Sequence, residues 1–326
     1  MPDTRPTPAP SATDYVRLAV DWSEALPRLE ALGPVRVVTT NAAMVHEKQG
    51  TFGNVSVMGH AIIVLNRDID LRVFPRHWEQ TVHDVAADAI RVHDRLGRPV
   101  HAIHRTAGTD ADAWNAFLAE HRAAEQGPLA TGGEPAAVPA SGAAPEVAPE
   151  VASGATDDAA IDVPGLRSAW AAMTDVHEFH GMLKRFGAGR LQAMRLAGGE
   201  FARELPLTAV AELLDAARDR KLDIMVFAGN AGCIQIHTGT VANLVGEGNE
   251  LRIEDPNFRL RCDLTRLASA WVVHKPTDKG GITTVELYDD RGDNAAILCG
   301  QRDEDKPERA EWRALARSLP AVAAAA

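Results

Sequence analysis

The chain repeats itself, and that repeat restricts it to folds that can be built twice. Gly50-Thr51-Phe52-Gly53-Asn54-Val55 is followed by Leu71-Arg72, and Gly239-Thr240-Val241-Ala242-Asn243-Leu244 is followed at the same spacing by Leu260-Arg261. Further on, Asp94-Arg95-Leu96-Gly97 echoes Asp289-Asp290-Arg291-Gly292, and Trp114-Asn115-Ala116-Phe117-Leu118 echoes Trp312-Arg313-Ala314-Leu315-Ala316. Three echoes in one order indicate two homologous halves. Between them, residues 127–161 are rich in Ala, Pro, Gly and Glu and hold no aromatic residue. Such a composition buries too little apolar surface to order itself, so a disordered linker is expected there. The resulting division is a disordered tail over 1–14, an N-terminal repeat over 15–126, the linker, a C-terminal repeat over 162–320, and a tail over 321–326.

Each half carries the same run of elements. Short β-type runs occur at Val35–Thr40, Ile62–Leu65 and Leu71–Phe74, then at Ile224–Ala228, Cys233–His237, Leu251–Ile253 and Leu260–Asp263. The Asp-x-x-Gly tetrapeptides predict hairpin turns between Ala89–His93 and Val100–His104, and between Thr284–Tyr288 and Ala295–Cys299. A Trp-containing helix closes each half. Strands in succession without intervening helices imply antiparallel pairing, so the expected class is α+β: two homologous halves, each a large antiparallel β-sheet with flanking helices. The entrances differ. Helices are expected over Leu166–Arg185, Leu191–Glu204 and Leu207–Arg220 in the second half, but only over Trp22–Leu32 in the first.

The net charge of −11 argues against a nucleic-acid partner, because nothing neutralises a run of phosphates. Cys233, Cys262 and Cys299 form no CxxC pair, which suggests a reducing compartment. No apolar stretch approaches the roughly 20 residues of a membrane helix. The opening MPDTRPTPAPSATD lacks the apolar middle of a secretory signal. A cytoplasmic protein without stable membrane insertion, monomeric or homodimeric, is expected.

One segment could carry chemistry. In Thr174–Phe186, Val176, Phe179, Leu183 and Phe186 follow the stripe of a helix packed on a core, and Trp170, Met173, His177 and His180 run beside it. His177 is thereby placed at the shoulder of the buried face. By pattern alone, a histidine there is more often a packing residue than a ligand. His177 and His180 do not make the H-E-x-x-H zinc pattern, and no third ligand stands nearby.

Several strings, however, share a family order: TDVHEFHGMLKRF, MVFAGNAGCIQIHTG, and WVVHKPTDKGGITTVELYDDRGD with GQR and a closing EWR in the second half, VHEKQGTFGNV and LNRDIDLRVFPRHW in the first. They resemble the haemin-degrading and haem-transport proteins of bacterial haem uptake, the cytoplasmic HemS/ChuS/PhuS-like family, from about Val35 to Leu319 apart from the linker. The resemblance implies haem as cofactor or cargo, with His177 as the iron ligand. It implies Arg72 as the distal residue on the opposite haem face, a possible catalytic donor, with Phe74 beside it. A guanidinium cannot ligate iron, but it can donate to a group bound on the far side. Arg190, Lys275 and Arg302 match residues that contact the propionates, where cations are needed; on their own, each reads as a solvated surface charge. Cys299 and Ile297 stand where the family carries hydrogen-bonding residues. His46 matches a further first-half histidine. A haem carrier receiving cargo from an importer and passing it to a haem oxygenase, a ring-cleaving enzyme, and a haem-sensing module all fit these residues.

Overall fold

The computed structural model describes residues 15–130, 132–133, 157–302 and 306–322. The expected tail at 1–14, the last residues at 323–326 and most of the expected linker lie outside them. At its ends, the linker stretch is bonded to the fold. Leu129 donates its backbone N–H to the Tyr15 hydroxyl and Ala130 donates to Gln80, while Asp158–Ala160 form a helical turn.

The first half runs β1 (Tyr15–Leu18), α1 (Trp22–Ala25, continued as a tighter 3-10 turn over Leu26–Leu32), β2 (Val35–Thr40), β3 (Met44–Gly50), β4 (Val55–Met58), β5 (Ala61–Leu65) and β6 (Asp70–Val73). It ends with β7 (Gln80–Asp84), β8 (Ala89–His93), β9 (Pro99–Arg105) and α2 (Ala111–Glu120). The second half opens with α3 (Val163–Ala171), α4 (Glu178–Phe186) and α5 (Arg190–Ala197), followed by β10 (Ala202–Leu205) and α6 (Ala209–Asp219). Then come β11 (Ile224–Asn230), β12 (Cys233–Gly239), β13 (Leu244–Glu247), β14 (Glu250–Asp255) and β15 (Phe258–Asp263). β16 (Ser269–Lys275), β17 (Ile282–Tyr288), β18 (Asn294–Gly300) and α7 (Ala310–Ser318) complete it.

The strands form two antiparallel nine-stranded sheets, ordered β1-β7-β8-β9-β2-β3-β15-β14-β13 and β10-β16-β17-β18-β11-β12-β6-β5-β4. The α+β class and the two large sheets are therefore as the sequence predicts. What the repeat did not reveal is an exchange: each half lends three strands to the other's sheet. β6 joins β12 with Arg72 opposite Ile234 and Asp70 opposite Ile236, and β15 joins β3 with Leu260 opposite His46. Equivalent elements fill equivalent places, because a duplicated edge strand pairs with its copy's partner as readily as with its own.

The helical entrance differs from expectation in two places. The stretch Leu166–Arg185 is two helices, and Glu204 lies in β10, not in a helix. The break is local capping. Asp175 accepts from the His177 backbone N–H (2.8 Å), and Glu178 reaches back to the N–H of Asp175 (2.9 Å), a reciprocal start signal for α4. Gly187, at φ 63°, ends α4 in the left-handed conformation that favours glycine.

Helices α3–α5 have no counterpart in the first half. They cover β16 and β17 on one face through Trp170, Phe179, Met182, Leu183 and Met194, while Trp312 of α7 packs on the other side and donates to the Thr283 carbonyl (2.8 Å). With both faces covered, all seven residues of β17 are buried. Trp170 donates to the His274 carbonyl (2.9 Å) and is completely buried, so truncating it to Ala would cost about 3–5 kcal/mol.

Candidate functional site

Cross-strand partners project to the same side of a sheet, so the registers define one face of the second sheet. Along one row lie Asp70, Ile236, Phe227, Ile297 and Glu286; beside it lie Ile63, Arg72 and Ile234, and on the other side Met225, Cys299 and Thr284. Four strand spacings separate β6 from β17, roughly 19 Å. In the middle of this span, Ile234, Met225, Phe227 and Ile297 are only half-buried, as is Ile63 on β5, just beyond β6. They form an apolar platform, the kind of surface a chain keeps for a partner or ligand.

One end of the platform is closed by charge buried under α4. Glu286, with no exposed surface, accepts from Arg190 (2.8 Å from both Nε and Nη2), Lys275 Nζ (2.7 Å), Thr284 (2.9 Å) and the Tyr288 hydroxyl (2.6 Å). Phe179 of α4 lies over this group, 4.8 Å from Lys275 Nζ and 5.3 Å from the Arg190 guanidinium. Burial opposes the charge on Glu286, but the two cations outweigh it and hold the carboxyl far below its usual range. Arg190 and Lys275 are thus not solvated surface charges. Both are buried, and both are paired to a residue that the sequence reading had passed over.

His177 stands at the margin of this cap, two residues before Phe179 and immediately before α4. It is exposed, with 54% of its side chain accessible, so the helix-shoulder position is corrected to a helix start. Its Nδ1 is 2.6 Å from Asp175 Oδ1. A carboxylate accepts, so Nδ1 carries the proton and Nε2 keeps its lone pair free; among the described residues nothing hydrogen-bonds to it. Asp175 is held below the usual carboxylate range, first by the His177 backbone N–H, then by the imidazole and by the charge of Arg302. Arg302, exposed and two residues beyond β18, is therefore within electrostatic reach of the same corner. His180, on the first turn of α4, is half-buried.

At the far end, Arg72 projects from β6 on the platform side. It donates to Asp70 Oδ1 and to the Leu71 carbonyl (3.1 Å), and its side chain is 17% exposed. Arg72 is thus held in a half-buried ion pair. Phe74, half-buried, follows β6 and donates its backbone N–H to the Gly232 carbonyl (2.9 Å). Ile297 lies at the platform's centre. Cys299 is buried, and burial pushes its thiol up to about 12, so it packs as a small neutral group.

Two further histidines are not at the platform. His46 has no exposed surface, and His237 is stacked on Phe258 at 3.7 Å with both ring nitrogens unpartnered among the described residues. Among the described residues, no three His, Cys, Asp or Glu side chains group closely enough to hold a metal ion, and no helix is long and apolar enough to cross a membrane.

The residues missed in the sequence have different signals. Asp175 was readable, since Asp-x-x-Glu is a helix-start pattern. Glu286 was less so: a single acid inside a β-type run signals an inward charge only once both sheet faces are known to be covered.

The chain matches the domain described as "Haemin-degrading HemS.ChuX domain" over residues 7–121 and 187–319, the two copies of the repeat, with His177 between the matched segments. It is 36% identical over 308 residues to "Hemin transport protein HemS" of Yersinia enterocolitica, covering 92% of this chain and 84% of that one. Its fold superposes on apo-PhuS, a heme-binding protein from Pseudomonas aeruginosa, with a TM-score of 0.86, 39% identity, and 95% of this chain and 88% of that one covered. ChuS, an E. coli heme oxygenase, gives a TM-score of 0.79 at 33% identity, with 94% and 89% covered. With the domain matched over both repeats and a relative 36% identical over 92% of the chain, this chain belongs to the haemin-degrading HemS.ChuX domain family.

Proposed function

We propose that this chain is a cytoplasmic haem-binding protein of the bacterial haem-uptake type, which takes haem onto the apolar platform and binds its iron through His177 Nε2. The observation that carries the reading is the Asp175–His177 pair beside the platform. The carboxylate fixes the tautomer, orients the ring and raises the basicity of the free nitrogen, as second-sphere carboxylates do for metal-bound histidines. Haem fits the residues present: a flat apolar surface for the macrocycle, one exposed imidazole at its margin, and one guanidinium opposite. When bound, the haem supplies the redox-active iron. The chain's residues seat it, keep one nitrogen available, and place a donor on the distal side. Arg72 is that donor, with Phe74 flanking it.

Arg302, the exposed cation at the His177 corner, binds a propionate directly. Arg190 and Lys275 act from beneath: with Glu286 ionised, the three groups carry one net positive charge, which favours anionic groups above them. A single neutral imidazole suits release, and so suits a carrier that receives haem from an importer and hands it to a haem oxygenase. The relatives, a hemin transport protein and a heme-binding protein, support haem transport and haem binding.

The decisive test is haemin titration followed by the Soret band. His177→Ala is expected to lose the shift or weaken binding at least about tenfold; unchanged spectrum and affinity would sink the assignment. A second reading, ring cleavage by the chain itself, is favoured by Arg72 and by the name of one structural relative. Haem turnover with a physiological reductant separates the two. Turnover that survives catalase and yields a defined tetrapyrrole supports the enzyme, and collapse with catalase leaves the carrier.

A further inference from the structure

On the opposite side of the second sheet from the platform is a cavity of 310 Å³, lined by Gly199, Glu200, Phe201, Arg203, Val272, His274, Thr283 and Arg317. Its volume reaches the range of small-molecule sites, roughly 300–1,000 Å³. The floor is made by paired neighbours on three strands, Arg203 beside Val272 and His274 beside Thr283.

The lining is polar, cationic and incompletely satisfied. Thr283 has no exposed surface, and its hydroxyl has no hydrogen-bond partner; His274 Nδ1 is buried and likewise unpartnered. Buried polar atoms of that kind are uncommon and call for a partner. Arg203 donates to the carbonyls of Leu319 (2.9 Å) and Arg317 (3.2 Å), and among the described residues its charge meets no carboxylate. Arg317 forms no ion pair among the described residues. Two acids stand nearby: Glu308, which holds Arg313 at 2.9 Å and accepts from the Thr283 N–H at 2.6 Å, and Glu200 in the lining, largely exposed and 3.8 Å from Arg167. In a chain of net charge −11, a pocket with two uncompensated guanidiniums is a local exception.

We propose that this cavity is a second ligand site, separate from the haem platform, that binds a small oxyanion, a phosphate or a carboxylate. Arg317 supplies the approaching charge and Arg203 a fixed one, above a floor of Val272, His274 and Thr283. The site is independent of the haem reading, since it lies on the α7 side of the sheet, at the β10 edge, away from the platform face.

Calorimetric titration of the full chain, free of haem and in a chloride-only buffer, tests it with two probes, inorganic phosphate and succinate. Saturable binding of one or both is expected, the responsive probe identifying the class. Arg317→Ala, which changes an exposed residue, is expected to weaken it by about tenfold, the loss of one charged hydrogen bond. Haemin titration of Arg317→Ala should stay as in the parent. No saturable binding of either probe, or a loss smaller than threefold in Arg317→Ala, would overturn the site.

Discussion

Asn41 and Asn230 make the same hydrogen bonds in opposite directions. The Asn41 side-chain amide donates to the carbonyls of Gly229 (2.8 Å) and Ala295 (2.9 Å), and that of Asn230 donates to those of Thr40 (2.9 Å) and Val100 (2.7 Å). Each side-chain carbonyl accepts from its own turn, Asn41 from Ala43 and Met44, Asn230 from Gly232 and Cys233. The duplicated residue is thus a clasp between halves that have already exchanged strands. Removing one clasp leaves four buried backbone groups unpaired. Asn41→Ala and Asn230→Ala should each destabilise by on the order of 3 kcal/mol, measured as a shift in urea midpoint. Because the sheets are shared, unfolding should remain a single transition in both variants; separate transitions for the halves would contradict the clasp.

The Asp175–His177 pair separates capping from ligand tuning. Asp175→Asn keeps an acceptor for the helix start but removes the charge behind the imidazole, and about a 10-fold loss of haem affinity is expected. Glu178→Ala damages the same helix start without touching the ring, and should leave the Soret titration close to the parent. Equal losses in the two variants would show that Asp175 acts only through the fold of α4.

How much of this was legible in the sequence depends on range. Val35–Thr40 and the two hairpins at Asp94 and Asp289 were read from local alternation and turn chemistry, and they stand in the structure as read. The exchange of β4–β6 for β13–β15 was not readable, because the repeat makes both partners equivalent in pattern. His177 was picked out only through its surrounding string; its position at a helix start was written in Asp175 and Glu178. Arg190 and Lys275 were taken for surface charges because burial of a cation becomes credible only beside its counter-ion, and Glu286 is 96 residues from Arg190 and meets Lys275 only once β16 and β17 pair. The platform residues Phe227 and Ile297 read as ordinary strand hydrophobes, since sequence cannot tell which face goes uncovered.

Arg72 should matter to what the haem does more than to whether it binds. Its pair with Asp70 is half-buried, and burial pushes the Asp70 carboxyl up against the opposing charge of Arg72. Arg72→Ala is expected to change the haem spectrum or slow degradation while affinity is largely kept. Identical spectra and degradation rates would remove it from the distal side.

Glu286→Gln leaves two cations buried without a counter-charge. Breaking a buried pair by removing one partner costs about 3–5 kcal/mol. Lys275 gives a signature. Burial already pushes it down to about 8 against the pull of Glu286, so without that pull it falls further. A depressed basic group binds fewer protons folded than unfolded, so stability rises with pH between its folded value and its ordinary 10.5. The variant should therefore regain stability relative to the parent between pH 7 and pH 9 in chemical denaturation; a constant offset would argue that Lys275 stays charged.

Acid should weaken the fold well before the carboxylates protonate. Burial pushes His101 and His237 down to about 3 and His104 to about 4, and holds His46 well below its ordinary 6.5. These groups are neutral when folded and take up protons near pH 6.5 when unfolded. Their contribution is complete above that pH and is lost as the pH falls toward their folded values. Each imidazole costs about 1.4 kcal/mol per pH unit in that window. Urea denaturation across pH 7 to 5 should show a steep loss of stability. His237→Leu should make that slope shallower by about one imidazole's share, whatever it does to stability at pH 7. The slope is the readout because lost stacking on Phe258 shifts the whole curve equally, whereas a lost titration changes only its steepness; parallel curves for variant and parent would mean that His237 is protonated as readily in the folded chain as in the unfolded one.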